Sequence, residues 1–322
     1  MLVGVVVVLA AAVALVAVLS MDTTGEKGSG LGDEFSYDIT RLRKVDPKLI
    51  GYTETGGIDL AMFREPRGLA LGPAGRVAVA GDTKVVTFDK AGAQVAEFKL
   101  AAPPQCVAVG PDGTLFVGIL DHVEVVDAVG KPKATWASLG ADAVLTGIAV
   151  GEDSVFVADA GNREVVRYDL AGKMLGRIGR KDPERNIPGI LVPSPHFDVA
   201  VGTEGLLWAS NPGRRLVEAY TFDGDREVAW GTSSSAIDGF CGCCNPTNLA
   251  LFADGRVVTS EKGLPRVKVL GVDGSLKSVV AAPAQFADEV RGLDLAVDAQ
   301  GRILVLDPSA KRVRIFVAKE KQ

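Results

Sequence analysis

The amino-acid sequence predicts an all-β fold, a six-bladed β-propeller of four-stranded blades. An octet made of a variable residue, an aliphatic residue, alanine, a second aliphatic residue and a short turn occurs six times in the 322-residue chain. Its copies are GLALGPAG from Gly68, CVAVGPDG from Cys106, GIAVGEDS from Gly147, DVAVGTEG from Asp198, NLALFADG from Asn248 and DLAVDAQG from Asp294. The starts are 38, 41, 51, 50 and 46 residues apart. This is the repeat length of a propeller blade rather than of a helical solenoid.

Each octet is followed by further β-rich segments. A second apolar run comes directly after the turn, as at Val77–Ala80 and Ile303–Leu306, so two strands are joined by a tight turn. The predicted third strands are Lys84–Phe88, Val123–Val126, Glu164–Tyr168, Leu216–Tyr220, Arg266–Leu270 and Arg312–Val317. The predicted fourth strands are Val95–Leu100, Thr135–Leu139, Met174–Ile178, Glu227–Trp230 and Leu276–Val280. The sixth copy has none before the last residue.

The missing fourth strand of the sixth copy is predicted near the other end of the propeller segment. Lys48–Thr53, KLIGYT, is similar to the fourth-strand segment KMLGRIG at Lys173–Gly179. A strand from this end that completes the last blade closes the ring and leaves no sheet edge at the seam.

One copy carries a family resemblance. Ala158–Tyr168, ADAGNREVVRY, has an Asp, a Gly-Asn turn and an Arg before its third strand, and Asp307–Ile315, DPSAKRVRI, is a weaker version. These segments resemble the signature of NHL-repeat propellers, and the resemblance covers residues 48–317. It implies the fold without specifying one function, because NHL propellers include binding platforms, a peptide-amidating lyase and many secreted proteins.

Composition and charge exclude several classes of protein. The chain is 47% hydrophobic with 38 glycines, which is enough to bury one large propeller core. Its formal net charge of −5 and pI of about 5.3 provide no broad basic surface, so we expect no nucleic-acid partner. The sequence also contains no Gly-x-Ser-x-Gly elbow and no phosphate-binding loop.

The N-terminal segment predicts a membrane partner. Leu2–Leu19 has no charged or polar side chain and approaches the length of about 20 residues that crosses a bilayer. We therefore predict a transmembrane or signal helix in residues 1–21, a flexible linker in 22–43 and the propeller in 44–322. Only a vague cleavage site follows, which favours an uncleaved anchor. The flanking residues are mostly acidic, so the propeller is expected outside the cytoplasm, in the periplasm or the extracellular space.

The cysteines are concentrated in one loop. Cys241, Cys243 and Cys244 lie in the run FCGCCNP just before the fifth octet, and Cys106 opens the second octet. If the first octet position lines the channel, we expect all four sulfurs near one another at the channel mouth. Three interpretations remain open: a structural disulfide, an exchangeable strained disulfide, or a soft-metal site for copper(I), zinc or an iron–sulfur centre.

Polar residues occupy the first octet position in three consecutive copies, namely Asp198, Asn248 and Asp294. Carboxylate and amide oxygens bind hard divalent cations, and the set resembles the central metal site of gluconolactonase-type propellers. The alternative is a polar wall along a water-accessible channel. His196 is expected near the channel mouth. With His122 as the only other histidine, the chain lacks the several histidines that bind zinc in the NHL-type lyase.

Two long connections, Arg180–Pro195 and Gly231–Cys244, are expected on the same face of the ring, where long loops often bind ligands. The sequence thus favours a membrane-tethered binding or assembly module that takes a protein or small-molecule ligand on this face. The alternatives are a redox or metal-binding protein that uses the cysteine loop, and a divalent-metal-dependent hydrolase of lactonase type. The sequence alone does not decide whether the protein is an enzyme.

Overall fold

The structure is a ring of six antiparallel four-stranded sheets. The computed structural model describes residues 40–287, 290 and 292–320, and one compact unit spans Leu42–Gln322. In every sheet the strand that contains the aliphatic–alanine–aliphatic run of the octet lies innermost, and neighbouring inner strands contact one another around the axis. The octet therefore predicts the inner strand of each blade correctly.

The elements follow the chain around the ring. Strand β1 (Tyr52–Asp59) precedes the first octet. Blade 1 consists of β2 (Pro66–Leu71), β3 (Val77–Gly81), β4 (Lys84–Phe88) and β5 (Gln94–Lys99). Blade 2 consists of β6 (Cys106–Val109), β7 (Leu115–Ile119), β8 (His122–Val126) and β9 (Pro132–Thr135). Blade 3 consists of β10 (Leu145–Val150), β11 (Ser154–Asp159), β12 (Glu164–Asp169) and β13 (Met174–Ile178). Blade 4 consists of β14 (Val199–Val201), β15 (Leu207–Asn211), β16 (Leu216–Tyr220) and β17 (Arg226–Trp230). Blade 5 consists of β18 (Asn248–Leu251), β19 (Val257–Glu261), β20 (Arg266–Leu270) and β21 (Leu276–Ala281). Blade 6 consists of β22 (Asp294–Val297), β23 (Ile303–Asp307) and β24 (Arg312–Ala318), and β1 is its outer strand. Short 3-10 helices cover Thr40–Arg43, Pro47–Leu49, Pro73–Gly75 and Pro283–Gln285.

An N-terminal strand closes the ring, as predicted, but its bounds differ from the prediction. Strand β1 pairs antiparallel with β24, and Ile58 lies opposite Val313. The predicted segment Lys48–Thr53 instead contains a 3-10 turn, and Ile50 bridges to the outer strand of blade 5. The real strand contains two consecutive glycines, which have low strand propensity, so local sequence does not reveal it. Tertiary pairing with β24 defines it.

The fourth strand of blade 2 lies earlier in the chain than predicted. The prediction placed it at Thr135–Leu139, whereas β9 ends at Thr135. Trp136 leaves the strand and packs in the core, with its ring centroid 4.7 Å from that of Tyr168 and 5.7 Å from that of Phe116. Trp136 N still donates to Val123 O at 2.9 Å, so β9 ends where this side chain turns into the core.

The segment that resembles the NHL signature forms a tight turn between β11 and β12. Asp159 is fully buried, and its Oδ1 accepts hydrogen bonds from the backbone N–H groups of Val144, Gly161 and Asn162 at 3.0–3.1 Å. Its Oδ2 accepts a 2.7 Å bond from the Asn162 amide. A single carboxylate therefore holds the turn and the chain that leads into β10.

The predicted membrane segment in residues 1–21 and the predicted linker up to residue 39 lie outside the described residues. Within the described part of the chain, no helix is long and apolar enough to cross a membrane.

Candidate functional site

The axial channel opens on one face into a pocket of about 540 Å³, named here the mouth pocket. Chain from all six blades lines it, because each blade contributes residues at or just before its inner strand. The ionisable and amide side chains in this lining are Glu65, Arg67, Gln105, His196, Asn248 and Asp294. A cavity of about 240 Å³ continues along the six inner strands and is walled mainly by aliphatic and alanine residues. Polar side chains therefore converge at the mouth, and the cavity beyond it is bounded by inner-strand backbone and by mostly small or aliphatic side chains.

Asp198 and Asp294 connect neighbouring blades through backbone hydrogen bonds. Asp198 Oδ2 accepts from Leu249 N in blade 5 at 3.0 Å, and Asp294 Oδ2 accepts from Leu69 N in blade 1 at 2.7 Å. Each Oδ1 accepts from the N–H of the next residue in its own strand at 2.9 Å. Because both residues occupy the first octet position, the repeat places both carboxylates against the same backbone group of the following blade.

Asn248 completes this polar level of the channel. Its Nδ2 donates to Asp294 Oδ1 at 3.2 Å. The prediction that Asp198, Asn248 and Asp294 lie together is consistent with these contacts, and their oxygens serve as acceptors within the protein. Among the described residues, no three His, Cys, Asp or Glu side chains are arranged to hold one metal ion.

Burial makes both carboxyl groups hard to ionise. It raises the pKa of Asp294 to about 6, although hydrogen bonds from Leu69, Leu295 and Asn248 favour the charged form. Burial and the neighbouring charge of Asp294 raise the pKa of Asp198 well above its usual range. The pair therefore prefers to keep a proton in mildly acidic solution.

Small residues occupy the same octet position in blades 1 to 3. A Cβ atom at Gly68 would lie 3.1 Å from the Cα of Cys106, and one at Gly147 would lie 3.0 Å from the Cα of Asp198. Inner strands thus approach more closely here than a larger side chain would allow. Cys106 itself is buried, and burial followed by the charges of Asp198 and Asp294 raises the pKa of its thiol.

His196 lines the mouth pocket, as its position in the sequence suggested. Burial, together with the positive charge of Lys262, lowers the pKa of His196 to about 4. The imidazole is therefore neutral at pH 7 and offers one donor and one acceptor nitrogen. Gly292 provides the space beside it, since a Cβ atom there would lie 3.2 Å from His196 Cε1.

The one arginine in the lining is already paired. Arg67 Nη1 donates to Gln105 Oε1 at 2.6 Å, and Arg67 Nη2 lies 3.1 Å from Glu65 Oε1. These contacts balance the charge of the guanidinium inside the lining. With a neutral His196, the mouth pocket presents many hydrogen-bonding groups and little uncompensated positive charge.

The cysteine loop, Cys241–Cys244, lies beside the mouth pocket rather than in its lining. All four cysteines are free thiols, and the Sγ atoms of Cys243 and Cys244 are 3.2 Å apart, a contact distance well beyond a bond of about 2.05 Å. The predicted disulfide is thus not present in the structure. No described contact joins Cys106 to the loop, so the expected cluster of four sulfurs is not seen within the described residues.

Two buried polar residues anchor the loop to blade 5. Asn245 Nδ2 donates to the carbonyl oxygens of Cys241 and Lys262 at 2.5 and 3.0 Å, while its Oδ1 accepts from Lys262 N at 2.9 Å. Glu261 Oε2 accepts from Cys241 N at 2.9 Å. Glu261 is in turn held by Arg266 at 2.7 Å and by the fully buried Lys268 at 2.9 Å. The loop therefore has a rigid base.

The long connection before blade 4 meets the turn between β19 and β20 next to these sulfurs. Lys262 Nζ donates to Ser194 Oγ at 2.7 Å, which joins blade 5 to the connection before blade 4. Burial opposes ionisation of Cys244, but hydrogen bonds with Ser194 and Cys243 and the charge of Lys262 lower its pKa overall. The hydrogen bond with Cys244 raises the pKa of Cys243. The two neighbouring sulfurs therefore differ in acidity as well as in exposure.

Sequence reasoning missed several residues of this face. Arg67, Gln105 and Thr146 each stand immediately before the first octet residue and line the mouth pocket. That shared position was a usable signal. Lys262 lies in the repeated turn between the second and third strands of blade 5, but Ser194 lies in a connection without any repeated pattern, so nothing in the sequence indicates that they meet.

Comparison with known proteins supports the fold. No family model matches the chain, and its sequence matches no curated protein. Solved structures with the same fold include a streptogramin B lyase (11% identity, TM-score 0.59, covering 83% of this chain and 98% of that one). A protein of unknown function from Bacteroides thetaiotaomicron is similar at 16% identity and TM-score 0.60, covering 83% and 73%. A catalytically inactive histidine-to-alanine variant of virginiamycin B lyase from Staphylococcus aureus, solved with quinupristin, is similar at 12% identity and TM-score 0.56, covering 83% and 100%. At these identities the similarity shows the six-bladed propeller fold alone.

Proposed function

We propose that the protein is a binding module whose mouth pocket takes up a neutral ligand rich in hydrogen-bonding groups, either a small molecule or a short peptide segment. The observation that carries this proposal is the mouth pocket itself, about 540 Å³ in volume and lined from all six blades. Ligand sites are typically concave cavities of about 300–1,000 Å³ with a few convergent polar groups.

The lining suggests the chemistry of the ligand. His196 supplies one donor and one acceptor when neutral, and the amide of Asn248 adds further polar atoms beside Asp294. Arg67 is balanced by Glu65, so it does not call for an anionic ligand. Phe197 and several prolines provide apolar walls. Amides, lactams and esters combine these polar and apolar properties.

Crystal soaking tests the proposal. Crystals of the ring are exposed to a panel of neutral amides, lactams and sugars, and the best binder is then titrated by calorimetry. We expect bound molecules to occupy the mouth pocket, and His196→Ala to weaken binding about three- to tenfold through loss of a hydrogen bond. His122→Ala is the matched control. His122 is the other histidine, it lies outside the pocket lining, and its Nδ1 is 2.8 Å from Asp121 Oδ1. Molecules scattered over the surface would contradict the proposal.

The proposal includes a membrane tether outside the cytoplasm. Its support is the uncharged segment Leu2–Leu19, followed by mainly acidic residues. In a cell fractionation experiment, the full chain should remain with the membranes after an alkaline carbonate wash. Protease added from outside the cytoplasm should digest the ring. Release of the full chain by the wash would contradict tethering, and protection of the ring would contradict its placement.

A lyase is the second candidate. It is favoured by the neutral His196 in the mouth pocket, since a neutral imidazole can accept a proton from a bound substrate. The similar virginiamycin B lyase structure has a catalytically inactive histidine-to-alanine variant. Incubation of the ring with quinupristin, followed by mass spectrometry, tests this candidate. Product that disappears in His196→Ala and persists in His122→Ala would support it, and absence of product would remove this activity.

A further inference from the structure

Two adjacent sulfurs outside the mouth pocket have an arrangement that the proposed binding function does not use. Cys243 Sγ and Cys244 Sγ are 3.2 Å apart and are linked as donor and acceptor. Cys243 is exposed, whereas Cys244 is only 7% exposed. The pair therefore has one sulfur that a reagent in solution can reach and one that is shielded behind it.

The shielded sulfur has a polar environment built by other elements. Ser194 hydrogen-bonds to Cys244, and Lys262 Nζ donates to Ser194 Oγ at 2.7 Å. Asn245 holds the backbone of Lys262 through both its N–H and its C=O, at 2.9 and 3.0 Å. A positive charge is thus fixed near Cys244 by the residue that directly follows it. This environment stabilises a thiolate at Cys244 more than at Cys243.

Chain geometry makes a bond between these two cysteines easy to reduce. Neighbouring Cα atoms are about 3.8 Å apart, below the range of about 4.4–6.8 Å in ordinary disulfides. Strained disulfides have higher reduction potentials and belong to the exchangeable class. A disulfide between adjacent residues closes a very small loop and removes little entropy from the unfolded chain. Such a bond would therefore stabilise the fold only weakly.

We propose that Cys243 and Cys244 form a thiol–disulfide exchange centre that reacts with low-molecular-weight or protein disulfides, with Cys243 as the exchanging sulfur and Cys244 as the resolving sulfur. The Cys243 thiolate attacks one sulfur of the partner disulfide, a mixed disulfide forms and one partner thiolate leaves. The Cys244 thiolate then attacks the Cys243 sulfur, the Cys243–Cys244 bond forms and the second partner thiolate leaves. The pair loses two electrons and two protons, and the partner disulfide gains them as two thiols.

The reverse direction follows the same path. A partner thiolate attacks the exposed sulfur of Cys243, and Cys244 departs as the thiolate. A thiol of lower pKa is the better leaving group, so the environment of Cys244 favours this bond cleavage. Lys262 acts as a positioning residue because its charge stabilises the departing thiolate without touching the partner.

Oxidised glutathione is the probe for this centre. The full chain is incubated with it and then alkylated, and the thiol-containing peptides are identified by mass spectrometry. We expect the wild type to lose the Cys243 and Cys244 thiols together, with a bond between them. Cys244→Ser should accumulate a mixed disulfide of glutathione on Cys243. Cys243→Ser should oxidise Cys244 at least tenfold more slowly, because the other sulfur of the pair is shielded.

Cys241→Ser is the matched control, since it removes the third loop cysteine and leaves the pair intact. It should exchange like the wild type. Pairing of Cys241 with either neighbour, or a mixed disulfide found on Cys244 rather than Cys243, would overturn the proposal. Melting curves verify folding of the Cys244→Ser variant. Cys243→Ser alters an exposed side chain and keeps the test valid if Cys244→Ser does not fold.

The pH dependence of exchange tests the role of Lys262, because loss of a merely structural residue would not shift it. Lys262→Gln should move the pH profile of exchange to higher pH and slow exchange about threefold or more at pH 7, and Lys262→Arg should restore both. An unchanged profile in Lys262→Gln would contradict the assigned role. Because this centre lies outside the mouth pocket, its failure leaves the ligand-binding proposal standing, and the reverse also holds.

Discussion

The two halves of the axial ring join neighbouring blades through different kinds of contact. In blades 4 to 6 the first octet residue is Asp198, Asn248 or Asp294, and the carboxylates bond to backbone N–H groups of the next blade. In blades 1 to 3 the same position holds Gly68, Cys106 or Gly147, and two of these are glycines at which a Cβ atom would crowd the neighbouring inner strand. One half is joined by side chains and the other by direct approach of the backbones.

The difference teaches why the polar half of the channel is not simply a ligand site. The carboxyl groups of Asp198 and Asp294 are used for inter-blade bonding. Burial raises their pKa values, although the hydrogen bonds themselves favour the charged form. The mouth pocket, which Asn248 and Asp294 also line, adds His196 as a group that can bond to a ligand. Asp198 lies outside this lining, so the structural and binding roles overlap only at Asn248 and Asp294.

Deletion of β1 should have the largest effect on this arrangement. Removing residues 1–59 takes away the outer strand of blade 6, including the 2.6 Å pair of Glu54 with Arg314. Blades 6 and 1 are then joined by the packing of β22 on β2 and by the hydrogen bond of Asp294 at the axis. The exposed edge of β24 should cause aggregation, measured by light scattering. A control that lacks residues 1–39 should remain monodisperse. Equal melting temperatures for the two deletions would show that the axial bonding alone closes the ring.

Asp198→Ala tests the side-chain half. The substitution leaves Leu249 N without its acceptor, which costs about 1–3 kcal/mol for a buried donor. Urea unfolding should therefore show a lower free energy of unfolding, and Asp198→Asn, which keeps one acceptor oxygen, should lose less. Asp273→Ala is the control, because Asp273 bonds only within an exposed turn. Equal losses at Asp198 and Asp273 would contradict a joining role for Asp198.

The pH dependence of stability separates the two halves further. The folded-state pKa of Asp294 is about 6, against about 3.9 unfolded, so the folded chain binds this proton more tightly. Its contribution is fully present below about pH 4 and is lost as pH rises through 6, by at most about 3 kcal/mol. Asp198 acts in the same direction. Asp294→Asn should flatten this part of the curve, measured by urea unfolding between pH 4 and 7.

The control for that experiment has the opposite sign. Hydrogen bonds from Ser275 lower the pKa of Asp273, so its contribution is present above the unfolded pKa and is lost as the pH falls. Asp273→Asn should leave the fall in stability between pH 4 and 6 unchanged. A difference in stability between the wild type and Asp294→Asn that stays constant over this interval would show that Asp294 ionises normally, and one that rises with pH would show a lowered pKa.

The smallest expected effect is the coupling energy between the two halves. Gly147→Ala brings a methyl group against Asp198, 2.5 Å from its Oδ1 and 3.0 Å from its Cα, and should cost about 1–3 kcal/mol. In the double variant with Asp198→Ala, part of this strain is relieved, so the two losses should not add and the coupling should be about 0.5 kcal/mol or more. Additive losses in urea unfolding would contradict a direct contact between the halves.

Much of the fold could be predicted from the sequence because the octet repeats. Alternation and spacing located all six inner strands, and the absence of a last strand correctly implied closure by an N-terminal one. The bounds of β1 could not be predicted, since Gly56 and Gly57 give it no strand character of its own. Its register depends on partners on β24 that are more than 200 residues away.

The candidate site was predictable only where it follows the repeat. The first octet position placed Asp198, Asn248 and Asp294 at the channel, but bonding of the carboxylates to the next blade depends on how closely the blades pack. The contact of Lys262 with Ser194 joins residues 68 positions apart, one in the turn between β19 and β20 and the other in the irregular connection before blade 4. No periodicity or motif encodes such a meeting, and the same applies to the separation of Cys106 from the cysteine loop.

The histidine side chains allow the most direct test of the mouth pocket as the binding site. Only His122 and His196 contribute imidazole signals, so the NMR spectrum of the ring can be followed against pH and against the ligand found by soaking. We expect His196 to remain neutral down to about pH 4, and its signals alone to shift when the ligand is added. Titration of His196 near its usual pKa of about 6.5, or ligand-induced shifts at His122 instead, would contradict a buried, neutral His196 as part of the binding site.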